Sequence, residues 1–109
     1  MKIDSIPFTN ICWAEQNLVE SAGKTGSTRS KTVQAGDVTL RMVEFSPGYV
    51  ADHWCAKGHV VLVLQGSLTI ELEDGRSFQT TAGSSFHVGD DDGRHRVSTE
   101  IGAKVFIVD

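Results

Sequence analysis

The chain has 109 residues, 39% of them hydrophobic and 22% charged, with 10 Lys and Arg against 14 Asp and Glu and a formal net charge of −4. That length supports one domain with a single core and leaves no room for a second. The acidic balance argues against a nucleic-acid or anionic-membrane surface, and no apolar stretch nears the roughly 20 residues of a membrane span.

Residues 1–26 read as an irregular N-terminal segment. Met1 to Ser5 lacks the apolar core of a signal peptide, so a cytoplasmic, reducing location is the expectation. Cys12 and Cys55 are then expected as thiols, with a Cys12–Cys55 bridge as the alternative. Cys12 to Glu20 has the composition of a helical turn. Gly23-Lys24-Thr25-Gly26-Ser27 invites a phosphate-loop reading, which fails because Leu18 stands where the motif needs its first Gly.

From there on, apolar residues recur with period two or in short β-branched runs, which is the pattern of strands. Val38 to Phe45 reads as a strand ended by Ser46-Pro47-Gly48. Val60 to Leu64 reads as a strand buried on both faces and closed by Gln65-Gly66. Ser67 to Leu72 alternates, with Leu68, Ile70 and Leu72 on one face. Asp74-Gly75 is the strongest hairpin signal and predicts a type I′ turn. Arg76 to Thr81, Ser84 to Val88, His95 to Ser98 and Ala103 to Val108 complete a set of short, regularly spaced strands. Such spacing predicts an all-β sandwich or barrel.

Within this frame, His53, Cys55 and His59 lie close together, and His95 follows in a later strand. Residues i and i+2 of a strand share a face, about 7 Å apart, so His53 and Cys55 should look the same way. The Lys57-Gly58 turn lets His59 return to that face. Imidazole and thiolate suit borderline and soft metals, and a metal site is the leading reading. The alternative is that these are core residues of a metal-free barrel. His87 alternates with Phe86 and Val88 and should face outward. Asp52 should point away from His53, and Trp54 away from the cluster. Asp90-Asp91-Asp92 lacks the spacing of a helix-loop calcium site and reads as a solvated loop.

These residues resemble the cupin superfamily. Gly48, His53, Cys55, His59 and Gly66 fill the frame of the first cupin motif, with Cys55 in place of its second His, His59 in place of its Glu and Gly48 one residue closer than usual. Gly83 opens a looser second motif, where Gly89 replaces a Pro and His95 arrives one residue late. Ser46 to His59, with His95 to Thr99 and Gly102 to Asp109, is similar to the small single-domain cupins known by a DHCW motif. The resemblance covers most of the chain.

It implies a double-stranded β-helix, or cupin jelly-roll barrel, over residues 27–109. It places His53, Cys55, His59 and His95 at the four metal-ligand positions inside the barrel. It also implies a homodimer, with residues 1–26 packing on the partner subunit. A divalent transition metal is expected there, zinc or iron ahead of copper or nickel. Cys55 decides what such a site can do. Ligated, it completes a closed His3Cys set; packed as a small apolar residue, it leaves three histidines and an open position for a small-molecule ligand. The functions to weigh are a metal-dependent oxygenase or isomerase acting on a small polar molecule, a non-catalytic metal- or ligand-binding barrel, and a purely structural cluster.

Overall fold

A computed structural model describes residues 3–109, so Met1 and Lys2 of the expected N-terminal segment lie outside the described residues. Eight strands follow one 3-10 turn at Trp13–Glu15: β1 Val19–Ala22, β2 Ser27–Ala35, β3 Val38–Phe45, β4 His59–Leu72, β5 Ser77–Thr81, β6 Ser85–Val88, β7 His95–Ser98 and β8 Ala103–Val108. All pairings between them are antiparallel, in the path β1-β2-β3-β8-β4-β5, with β6 and β7 also on β4. No described helix is long and apolar enough to cross a membrane.

β4 organises the barrel. Its first half pairs with β8 and β6 in one sheet, and its second half pairs with β5 and β7 in the other. The sequence predicts two strands here, parted at Gln65-Gly66. The backbone instead stays paired through a register shift between Val63 and Gln65, then turns the corner at Gly66 with φ +76°. A side chain at Gly66 would collide with the Gly102 carbonyl, so the corner needs glycine.

The burial of β4 corrects a second expectation. Val61 and Val63 are buried, whereas Val60, Leu62 and Leu64 are 46%, 38% and 39% exposed. An antiparallel sheet with only its inner face covered explains this. The outer face is apolar in sequence and stays partly open, with Trp13 packing edge-on against Phe106, the β8 partner of Leu62.

Two further departures lie near the N-terminus. The helical turn expected over Cys12 to Glu20 is confined to Trp13–Glu15, and Val19–Ala22 inside the expected irregular segment forms β1. The register pairs Val19 with Ser30 and Ala22 with Ser27. β2 escaped the period-two reading because its Thr28, Ser30 and Thr32 carry hydroxyls where core strands carry methyl groups. The hairpin after β4 also differs in type. Only Gly75 takes a positive φ, +97°, and Asp74 Oδ1 accepts the Arg76 N–H at 3.0 Å, so the turn is not type I′.

The core is built from Val43, Val61, Val63, Leu68, Ile70, Ala103, Val105 and Ile107, with Phe45, Leu72, Phe86 and Val97 packed against it. Each fully buried Val or Leu contributes about 1.5–3 kcal/mol. This layer closes one end of the interior. The polar side chains collect beyond it.

Candidate metal centre

Two strands and one bulged segment supply the cluster residues. Cys55 and His95 are direct partners: the Cys55 N–H donates to the His95 carbonyl at 2.7 Å, and the His95 N–H donates back at 3.0 Å. Such a mutual pair sets both side chains on one face. His59 opens β4 and pairs with Val88 of β6. Cys55 Sγ and one ring nitrogen from each of His59 and His95 all lie within 4.8 Å of one another. That is close to the span of two coordination bonds of about 2.0–2.3 Å.

The imidazoles meet edge to face, with their Nε2 atoms 2.8 Å apart and an interplanar angle of 81°. Phe86 stands edge-on to both rings at 6.4 Å. Burial lowers the pKa of His59 most, with Asp109 pulling the other way. Burial also lowers that of His95, and the nearby charge of His59 adds to it. Both rings are thereby biased toward the neutral form that binds metal. Both Nδ1 atoms are buried without a hydrogen-bond partner. Two imidazoles biased toward the neutral form and a thiol, with donor atoms within 4.8 Å of one another, form a donor set that fits a transition metal.

His53 is the expected ligand that the structure leaves out. Its side chain is 80% exposed, and its Nδ1 is hydrogen-bonded to Asp52 Oδ1 at 2.6 Å. The reason lies in the backbone. The Ala51 N–H donates to Val97, and Cys55 pairs with His95, so Asp52, His53 and Trp54 bulge opposite Arg96 alone. Face alternation holds only along a continuous strand, and the bulge breaks it between His53 and Cys55. Asp52, expected to point away from His53, turns back onto it for the same reason. Trp54 does face away from the cluster and stacks on the Arg96 guanidinium at 4.4 Å. His87 is exposed, as its alternation predicts.

The acidic loop has a local task. Asp90 Oδ1 accepts the Gly58 N–H at 2.7 Å, and the Asp91 N–H donates to the Ala56 carbonyl at 2.9 Å. It clasps the connection between Cys55 and His59. A Cβ on Gly58 would lie 2.6 Å from the Asp90 nitrogen, so only glycine permits this approach.

The cluster opens on a cavity of about 450 Å³, which Arg41, Tyr49, His53, Phe86 and the row Ser21, Thr28 and Ser30 also line. A slightly larger groove of about 480 Å³, between Ser67, Phe78 and Ile101, carries no histidine or cysteine. Burial raises the pKa of Tyr49, and the charge of Asp52 raises it further.

Sequence reasoning missed Arg41 and Asp109. The Asp109 side chain is fully buried, with its Oδ2 2.7 Å from Arg41 and 3.5 Å from His59 Nδ1. A signal was present: Asp109 continues the inward series Ala103, Val105, Ile107.

No protein-family model and no curated protein matches the sequence. Solved structures do. The polyketide cyclase RemF from Streptomyces resistomycificus superposes with a TM-score of 0.74 at 19% identity, over 94% of this chain and 78% of the other. An RmlC-like cupin from Shewanella frigidimarina gives 0.71 at 18% identity, over 94% and 90%. A sugar phosphate isomerase of the cupin superfamily from Silicibacter pomeroyi gives 0.72 at 14% identity, over 92% and 74%.

The chain has the cupin fold. Its eight strands are the expected jelly roll, and the cupin barrel holds the Cys55–His59–His95 cluster against its cavity. Identities this low carry architecture and no activity. What the protein does has to come from its own residues.

Proposed function

We propose that this protein is a small metal-dependent cupin, of the single-domain DHCW kind, that binds a small polar molecule in its barrel beside a divalent transition metal held by Cys55, His59 and His95. The convergence of these three donors on one wall of the cavity carries the reading. Three protein ligands, rather than four, leave a coordination position facing the cavity, as in catalytic rather than structural sites. That favours turnover of the oxygenase or isomerase type over passive storage. Zinc or iron suits a mixed nitrogen–sulfur set, ahead of copper or nickel. Bound there, the metal would serve as Lewis acid or oxygen activator. The protein's own groups bind and orient: Tyr49, Arg41 and the β1–β2 hydroxyls face the same space.

A non-catalytic binding barrel is the second reading, favoured by one observation. Among the described residues, the carboxylate buried beside the cluster is Asp109, which is tied to Arg41 and is not free to move protons. A homodimer belongs to the same proposal. The exposed Val60, Leu62 and Leu64 form an apolar row on the outer face of β4 that a second subunit would cover. The two free thiols, Cys12 and Cys55, suit a reducing, cytoplasmic setting.

Elemental mass spectrometry of protein purified without chelator tests the reading. About one zinc, iron, copper or nickel per chain supports it. Absence of metal, with no uptake on reconstitution, removes it.

A further inference from the structure

His59 and His95 present the same atom to each other but face different surroundings with the other nitrogen. Asp109 lies beside His59 Nδ1, whereas His95 Nδ1 has no partner. The position of Asp109 follows from the sheet. Val60 pairs with Val108 and Val61 with Ile107, so the ladder carries Asp109 next to His59. Thr39 exchanges both backbone hydrogen bonds with Asp109, at 2.6 and 2.9 Å. Two residues along β3, Arg41 projects from the same face and binds Oδ2 at 2.7 Å. Lys57 Nζ stands 3.7 Å from Oδ1.

The carboxylate is therefore held by Arg41 and faced by Lys57, on a residue anchored through its backbone to Thr39, with its side chain wholly buried. At 3.5 Å, its contact with His59 Nδ1 is an ion-pair distance, about 0.5 Å longer than an ordinary hydrogen bond. Both Asp109 Oδ1 and His59 Nδ1 are left as orphaned buried atoms. The oxygen nearest His59 Nδ1 is Oδ2, the one that Arg41 binds, and a small rotation of the ring toward it would give Nδ1 its partner.

We propose that Asp109, held by Arg41, is a positioning residue that fixes His59 in its Nδ1–H tautomer and so bares Nε2 toward Cys55 and His95. The inference rests on the metal-binding reading only for its purpose; the proton placement stands by itself. A carboxylate accepts and cannot donate, so the ring nitrogen facing it carries the hydrogen. His59 Nε2 is then a lone pair. The contact of 2.8 Å with His95 needs one hydrogen, which must sit on His95 Nε2. His95 Nδ1 is left bare, and a bare nitrogen is the cheaper orphan. The chain of contacts runs Arg41–Asp109–His59–His95. Carboxylate–histidine pairs of this kind orient metal-binding rings and raise their basicity.

The experiment is long-range 1H–15N correlation of the histidine rings in metal-stripped protein, for wild type and Asp109→Asn. Wild type should show neutral His59 protonated on Nδ1 and His95 on Nε2. In Asp109→Asn the amide oxygen stays with Arg41 and the NH2 group turns to His59, so the ring should switch to Nε2–H. Zinc affinity, read by chelator competition on the same samples, should fall about 10- to 100-fold. Wild-type His59 protonated on Nε2, or a tautomer unmoved in Asp109→Asn, overturns the proposal. If the variant does not fold, the wild-type tautomer decides. Failure of wild type to take up zinc while His59 shows Nδ1–H removes the metal reading and leaves the positioning role intact.

Discussion

His59 and His95 are 36 positions apart in sequence, yet their Nε2 atoms face each other across 2.8 Å inside the barrel. Two buried imidazoles at that distance share one hydrogen and resist taking a second charge. Burial biases both rings toward the neutral form, and the barrel holds them as a pair of nitrogen donors with the Cys55 sulfur beside them.

His53→Ala should leave metal content at the wild-type level, because its ring is solvent-facing and bound to Asp52. His95→Ala should bring it below one ion per chain. Elemental analysis of both purified variants checks the pair. Loss of metal in His53→Ala would mean that the Asp52–Trp54 bulge refolds to bring a fourth ligand inward.

Cys55→Ser should abolish the thiolate-to-metal charge-transfer absorption of the cobalt-loaded protein while leaving the fold intact. Cys55 is partly buried, and its backbone pairing with His95 does not depend on the side chain. A wild-type spectrum without that band removes the sulfur from the ligand set and leaves two histidines.

Metal-stripped protein should lose stability as pH falls through the histidine range. The pKa values of His59 and His95 are lowered by burial from the unfolded value of 6.5. Below pH 6.5 the unfolded chain binds protons that the folded chain refuses, so unfolding is favoured. The contribution is full above pH 6.5 and is lost as pH falls toward the folded values. Denaturant midpoints at pH 5 and 8 measure it. Equal midpoints in wild type, or an unaltered difference in the His59→Phe/His95→Phe double variant, would contradict the assignment.

Leu68→Ala should destabilise the barrel by about 2–5 kcal/mol, the range for emptying a sealed core site. Leu68 is 1% exposed and lies two residues past the corner at Gly66. Equilibrium urea unfolding reads the change. A cost below about 1 kcal/mol would show that the corner collapses to fill the space.

Much of the molecule was legible in one dimension. Val38–Phe45, His95–Ser98 and Ala103–Val108 form strands where the alternation places them, because apolar side chains with period two can bury only one face. β2 was illegible for the complementary reason: its Thr28 and Ser30 face a cavity rather than a core. Local pattern was silent about the continuity of β4 as well. Gln65-Gly66 looks like a turn unless Ala103 and Lys104 are known to pair across it.

The amino-acid order alone determined the strand periodicity, an all-β sandwich or barrel, and the presence of four metal-competent residues. These follow from side-chain type and spacing, which act over a few residues. The tertiary structure decided which of the four converge. His53 was lost to a bulge set by the hydrogen bonds of Ala51 and Cys55 to a strand 40 or more positions away. Asp109 was gained because β3 and β4 flank β8 and bring Arg41 and His59 to one carboxylate. Which side chains share a face can be read from spacing only while the backbone stays in register, and register is a property of paired strands.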